Sequence, residues 1–420
     1  MINYWKYKLI SIIWRLLDYI TPKQSDKWAF ATHPISNRFT ENQRAVFEYV
    51  KKDIHIKKII FYRDTDCDMD IEEAVNYEIV KQGTFRAFYL LLLCKVIFVS
   101  NSISMDFSIR FGQKQFILIK VNLKKHVVVN LWHGIAIKRL FYAANDKTRK
   151  HTDRVPFRRY ERKYYAGLIA SSEIDGLIMA AMFYPLSYLQ IWTTGLPRND
   201  FLLLDFDKLP DYIKRSILSI RKIKKDKRLI VYAPTYRQTE VSKNAYYYQF
   251  TDEEVDILRN ILIKHNAILG YRPHYFKNSK SYFNLDKYID NQYIYDISQS
   301  NIPEFSAIAR ECDILISDYS SVCLETMYLN KLNMSFAYDI DNYMNEQEGL
   351  IYNLSVVFSK HIYTNFISLL NALEDKLSTM DTIEAEALHN KQIFFNYCDC
   401  NNSERVVCKL KELLIKENNQ

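Results

Sequence analysis

The sequence predicts an α/β protein with two parallel-sheet domains, and three observations carry that expectation. Strand-like runs of β-branched and aromatic residues alternate with helical stretches along both halves of the chain. The length, 420 residues, suits two domains, each with an ample core. Between the halves, Pro197 to Arg228 carries Lys208, Lys214, Arg215, Arg221, Lys222, Lys224, Lys225, Lys227 and Arg228, with few apolar residues outside one helix.

In chain order, Trp28–Thr32 reads as a short strand and Glu41–Lys52 as a helix after a Ser36–Thr40 turn. Ile56–Tyr62 is a second strand, Phe85–Cys94 a helix, and Val96–Ser100 a strand again. His126–Leu131, with three consecutive valines, is a buried strand; Leu168–Ser171 and Leu189–Thr193 continue the alternation. The second half repeats it with strands at Leu229–Tyr232, Ala267–Tyr271, Ile294–Tyr295 and Ile314–Ser317. The expected organisation is an amphipathic segment 1–27, an α/β domain 28–205, a basic linker 206–228, a second α/β domain 229–380 and helices 381–420. Such domains place a cleft at the carboxyl ends of their strands, where open α/β sheets bind ligands.

Composition excludes several classes. Hydrophobic residues at 48% and charged residues at 25% argue against long disorder. The 8 glycines include no pair closer than Gly167 and Gly176, which rules out a G-x-G-x-x-G turn and a Walker A loop. The 7 cysteines are odd in number and scattered, so reduced thiols in a cytosolic setting are expected. Cys398, Cys400 and Cys408 match no standard zinc spacing, and neither a metal nor a cofactor is expected. The longest apolar stretch, Ala87 to Val99, is interrupted by Lys95 and falls short of the roughly 20 residues that span a bilayer. The start carries no signal-peptide cleavage site. Tyr4–Ile20 mixes Trp5, Trp14 and aliphatic residues with Lys6, Lys8 and Arg15, the mixture of a helix lying in an anionic membrane surface. A helix packed on the protein's own surface would be equally rich in Ile and Leu.

Four strand ends carry chemistry. His133, in Trp132-His133-Gly134, is placed to act as a general base; the competing reading is a histidine bonded to a neighbouring carbonyl. Tyr232–Arg237 ends a strand at Pro234 and is expected to project Arg237 as a bidentate phosphate donor. Tyr271–Tyr275 offers Arg272 and His274. Asp313–Glu325 sets Asp318, Ser320 and Ser321 where a helix begins, either to meet phosphate or to cap the helix. Together they suggest a diphosphate site.

Leu131-Trp132-His133-Gly134 with Lys138, Thr194–Asp200, Tyr232–Arg237, Pro273-His274 and Ile316–Val322 occur in that order. This series resembles the CDP-glycerol:poly(glycerophosphate) glycerophosphotransferases of teichoic-acid synthesis, over about Trp28 to Tyr352. Phe39-Thr40-Glu41-Asn42 is similar more weakly. The resemblance implies a GT-B-like pair of Rossmann-type domains facing across a cleft, peripheral at the cytoplasmic face of the cell membrane. The donor it implies is CDP-glycerol or another CDP-polyol, and the acceptor a hydroxyl on a lipid-linked glycan or growing teichoic-acid or capsular polymer, with CMP released. By it, His133 matches the base, and Arg237, His274, Ser320 and Ser321 match residues at the diphosphate. Arg272, Asp318 and Glu325 are further donor-site candidates; Lys138, Arg198 and Asp200 are acceptor-side or supporting ones. A base near Lys138 would also have a lowered pKa.

Two departures stand out. The family commonly carries Arg-Gly where this chain has Glu348-Gly349, which leaves the polyol open. Little precedes the first domain, so a primase adding one or a few units stands beside a polymerase. The basic stretch Lys147, Arg149, Lys150, Arg154, Arg158, Arg159, Arg162 and Lys163 suits an anionic lipid or polymer, or is a solvated face. The sequence shows no stacking module of a nucleic-acid binder. The alternatives are a GT-B glycosyltransferase using a nucleotide-sugar, which would attack an anomeric carbon, and a non-catalytic membrane-bound assembly component.

Overall fold

Runs of β-branched and aromatic residues that are buried on both faces build two all-parallel sheets in this computed structural model. It describes residues 4–34, 36–63, 69–107, 121–146, 155–237, 246–274, 282–379 and 385–418, without the side chains of 4–8, 155–158, 385, 386 and 418. The chain divides into one unit of residues 1–134, 154–200 and 399–420, and a second of 135–153 and 201–398.

The first unit holds β1 (Gln24–Ala31), β2 (Lys57–Tyr62), β3 (Tyr77–Lys81), β4 (Cys94–Val99), β5 (Val127–Asn130), β6 (Gly167–Ala170) and β7 (Ile191–Thr193). Their order is β3-β2-β1-β4-β5-β6-β7, and every pairing is parallel. Phe30, Phe39, Phe47 and Phe98 interlock between β1, β4 and the helix Glu41–Val50, with centroids 4.9–6.3 Å apart. The second unit holds β8 (Arg228–Ala233), β9 (Ala267–Tyr271), β10 (Ile294–Asp296), β11 (Ile314–Ser317), β12 (Leu332–Phe336) and β13 (Ile362–Tyr363), in the order β10-β9-β8-β11-β12-β13. Tyr232, Phe250, Tyr271, Phe283, Phe336 and Phe366 form its aromatic core.

Both sheets are Rossmann-type, and strand order reverses between β1 and β4 and again between β8 and β11. At such a reversal the connections leave in opposite directions and open a crevice beyond the strand ends. The two parallel α/β sheets expected from the sequence are the ones observed.

Boundaries differ from expectation in three places. Residues 206–228 do not form a bare linker: the helix Asp211–Lys224 buries Ile213, Ile217 and Ile220 and packs on the helix Phe305–Glu311 of the second unit. The helix Asn402–Asn418 joins the first unit, against the helix Glu41–Val50. Residues 135–146, which follow the His133 turn, belong to the second unit. The strands β3, β12 and β13 were not anticipated. In β12 the polar Asn333 interrupts the apolar run, yet it is buried because its amide accepts from the Thr326 hydroxyl at 2.6 Å and donates to the Cys323 carbonyl at 3.0 Å.

Among its described side chains, the first helix, Tyr4–Ile20, buries two. Trp14 is buried, as is Asp18, whose carboxylate meets Lys23 Nζ at 2.6 Å and His126 Nε2 at 2.9 Å. Leu9, Ile10, Ile12, Ile13, Leu16, Leu17, Tyr19 and Ile20 are exposed. No helix among the described residues is long and apolar enough to cross a membrane.

Candidate active site

The loops beyond β1, β4 and β5 bring together the candidate residues of the first unit. Trp132 adopts a left-handed backbone (φ 45°) and Gly134 a φ of 148°, so the chain turns sharply on either side of His133. The turn is held from two directions. Asn130 accepts from the Trp132 N–H at 2.8 Å, and the buried Asn42 amide donates to the carbonyls of Leu131 and Trp132 at 2.8 and 3.2 Å. The Asn42 carbonyl also accepts from the Arg198 N–H at 3.0 Å. Arg198 pairs through its guanidinium with Glu41, itself in a left-handed conformation (φ 64°). Thus the helix Glu41–Val50, through its first two residues, joins the His133 turn to the Pro197–Asn199 turn.

His133 is solvent-exposed, yet protein atoms crowd part of its ring. That lost hydration lowers its pKa to about 4; Glu41 opposes the shift, and His33 and Arg198 add to it. The imidazole is therefore neutral near pH 7. The lowering comes from crowding and not from Lys138, as the sequence suggested. His133 Nδ1 lies 3.4 Å from the Ser100 carbonyl. A proton on Nδ1 directed there leaves Nε2 as the accepting nitrogen, so the carbonyl-bonded and general-base readings coexist. Although burial works against its charge, Glu41 is held below its ordinary range by Arg198, with His33 and His133 contributing. Burial likewise lowers the pKa of His33.

The second unit gathers its groups at the reversal between β8 and β11. Arg237 was expected to project toward phosphate; instead it is fully buried. Its Nε and Nη2 donate to the two oxygens of Asp339, both at 2.9 Å, its Nη1 donates to the Thr235 carbonyl at 2.7 Å, and its Nη2 lies 2.8 Å from Asp318. The rings of Tyr319, Tyr338 and Tyr343 surround it at 5.1–5.3 Å. Asp318 also accepts from the Thr235 N–H at 2.8 Å. Burial alone would weaken the guanidinium's charge, but Asp318, Tyr338 and Asp339 hold its pKa above the ordinary value. Arg237 and Asp318 therefore tie together the loops after β8, β11 and β12.

Other donors remain closer to solvent. His274 is half-buried beside Tyr236, with centroids 5.7 Å apart, and burial with Lys138 and Arg272 nearby lowers its pKa to about 4. The Arg272 guanidinium donates to the carbonyls of Ile297, Ile302 and Pro303, which fixes its position without cancelling its charge. Ser320 and Ser321 are half-buried ahead of the helix Val322–Tyr328, and the Ser321 hydroxyl makes no capping bond, unlike the ordinary cap that was the alternative. Glu325 is buried in that helix. Lys138 Nζ lies 3.7 Å from Glu348.

Of the two roles expected of Asp200, acceptor-side or supporting, the contacts of its carboxylate are supporting ones. Its buried carboxylate accepts from the backbone N–H groups of Asn402 and Ser403, both at 2.8 Å, and so caps the helix Asn402–Asn418. In the basic stretch, 147–154 lie outside the described residues, and Arg162 is buried over the Phe183 ring at 4.9 Å. The described residues hold no cluster of three or more His, Cys, Asp or Glu suited to a metal ion. Sequence reasoning had no role for His33, Glu41, Asn42 or Asp339; the Phe39–Asn42 turn was the one signal pointing to two of them.

The model of the CDP-Glycerol:Poly(glycerophosphate) glycerophosphotransferase family matches residues 15–412. The chain belongs to this family. Among curated members it is 27% identical to the teichoic acid ribitol-phosphate polymerase TarK of Staphylococcus aureus, over 86% of this chain and 64% of that one. It is also 27% identical to a teichoic acid poly(glycerol phosphate) polymerase of Bacillus spizizenii, over 82% of each. The chain thus spans a little under two thirds of the Staphylococcus relative's length. Among solved structures it resembles the wall teichoic acid polymerase TagF with a TM-score of 0.72 at 20% identity, over 98% of this chain and 93% of that one, which establishes the shared fold. Within the family fold, Arg198 lies near His133 in the first unit, and in the second Arg237 pairs with Asp318 while Arg272 lies near His274.

Proposed function

We propose that this chain transfers glycerol phosphate, or a related polyol phosphate, from a CDP-activated donor to a hydroxyl of a lipid-linked teichoic-acid-like or capsular acceptor. The observation that carries the reading is the neutral imidazole of His133 on a braced turn at the carboxyl end of β5, in a chain of this family. Relatives named as ribitol-phosphate and glycerol-phosphate polymerases support a polyol phosphate as the transferred group.

In this reading His133 Nε2 takes the proton of the acceptor hydroxyl. The freed oxygen attacks the phosphorus that bears the polyol, a new P–O bond forms, and the P–O bond to CMP breaks. Negative charge grows on the phosphoryl oxygens and on departing CMP. His274, Ser320 and Ser321 supply donors to them, and Arg272 and Lys138 supply positive charge. Arg237 acts by holding the three loops, and Glu325 stands one helical turn beyond the serines.

The acceptor end is proposed to reach the first unit while its lipid remains in the cytoplasmic leaflet. The exposed apolar residues of the helix Tyr4–Ile20 support docking on that surface. The test separates binding from turnover. His133→Ala is expected to bind CDP-glycerol as wild type does in calorimetry and to release CMP at least about a hundredfold more slowly. His274→Ala is expected to lose donor affinity. Wild-type CMP release by His133→Ala would sink the catalytic assignment.

A further inference from the structure

We propose that Glu41 and Asn42 form a bracket that positions His133 and sets its charge, with Glu41 and Arg198 acting on the imidazole in opposite senses. The inference rests on His133 being the base.

Asn42 supplies the mechanical half. It is fully buried, and its amide group spends its donors on the carbonyls of Leu131 and Trp132 and its acceptor on the Arg198 N–H. One side chain therefore fixes two turns that are far apart in sequence. The turn it holds contains the left-handed Trp132, a conformation that costs a non-glycine residue energy unless the surroundings enforce it. The Trp132 ring lies 3.8 Å from the His133 ring between centroids, so fixing one orients the other.

Glu41 supplies the electrostatic half. It too is left-handed, and that conformation sets its carboxylate against the Arg198 guanidinium. Four groups act on His133: Glu41 from the helix start, His33 from the loop after β1, Arg198 from the turn after β7, and the Ser100 carbonyl from the end of β4. Of these, Glu41 is the leading charge and favours imidazolium, as the Ser100 carbonyl does more weakly, while His33 and Arg198 oppose it. When the base takes a proton, imidazolium forms beside a carboxylate that is already in place, so no reorganisation is required at that moment. Crowding of the ring, with His33 and Arg198 adding to it, offsets Glu41, and the imidazole returns to neutral for the next turnover.

Opposite signs make the test decisive, because general loosening of the fold would not produce them. The full-length chain with 13C-labelled histidine is titrated by NMR, and the His133 signal is assigned by its loss in His133→Ala. Glu41→Gln is expected to lower the His133 midpoint and Arg198→Gln to raise it. At pH 7.5 Glu41→Gln is expected to lower kcat for CMP release by about tenfold or more, with KM for CDP-glycerol within about twofold, and Glu41→Asp to recover part of the loss. Asn42→Asp removes the amide donor and is expected to lower kcat in the same way, with the His133 signal broadened. Midpoints that stay put or move in the same direction overturn the bracket, even if His133 proves to be the base. If the midpoints split as expected but His133→Ala turns over normally, the catalytic role falls and the electrostatic coupling stands.

Discussion

Arg237 illustrates how burial changes the role of a charged residue. Enclosed with Asp318 and Asp339, it neutralises two buried carboxylates, and its planar guanidinium meets Asp339 through two parallel bonds. Arg237→Ala is therefore expected to destabilise the chain by about 3–5 kcal/mol in urea denaturation, because it strands buried negative charge. A solvent-facing phosphate ligand would change stability by about 0.5 kcal/mol or less. His274 makes a second prediction. Its folded pKa, about 4, lies below the roughly 6.5 of an unfolded histidine, so between those values the unfolded chain binds more protons. It contributes stability that is complete above about pH 6.5 and is lost as pH falls toward 4. In His274→Asn the slope of stability against pH across that window is expected to flatten; an unchanged slope would contradict the assigned shift. The strand ends bearing these residues were legible in the sequence, because each polar residue follows a β-branched run. What Arg237 does was not legible, because Asp339 is 102 residues away and only the fold brings them together.

At the scale of elements, the C-terminal helix Asn402–Asn418 shows a long-range cap. Asp200 holds its first turn, and Gly195 (φ 79°) leaves no space for a side chain, since a Cβ would lie 1.8 Å from Asn402 Oδ1. Asp200→Ala is expected to cost about 1–3 kcal/mol in chemical denaturation, with lost hydrogen-exchange protection beginning in residues 402–410. If Asp200 served the acceptor instead, stability would stay and KM for the acceptor would rise. The basic run hid the helix Asp211–Lys224: its cationic residues suggested a linker, yet Ile213, Ile217 and Ile220 recur at helical spacing and are the residues buried. The strands β4, β5, β8 and β11 were readable for the converse reason, because each contains an apolar run: Val96–Val99, Val127–Val129, Leu229–Ala233 and Ile314–Ile316. The edge strand β3 was not, because its short apolar pair Ile79-Val80 is flanked by Tyr77, Glu78 and Lys81 and only Val80 is buried.

At the scale of the molecule, the order of motifs along the chain identified the family, while assignment of segments to the two units needed coordinates. The first helix makes this concrete. Asp18 and Trp14 fasten it to the first unit, so its outward apolar residues are carried on a fixed platform. Leu9→Glu/Leu16→Glu changes exposed positions only and is expected to abolish flotation on anionic vesicles while leaving the melting temperature unchanged. Flotation at the wild-type level would remove that helix from the membrane contact. The central claim is polyol-phosphate transfer, and it is tested most directly by CMP release from the purified chain. CDP-glycerol, CDP-ribitol and a nucleotide-sugar would each be supplied, with and without a lipid-linked acceptor. CMP release from one CDP-polyol that requires both the acceptor and His133 is the predicted result. Silence with every CDP-polyol, together with nucleotide release from the sugar donor, would contradict it.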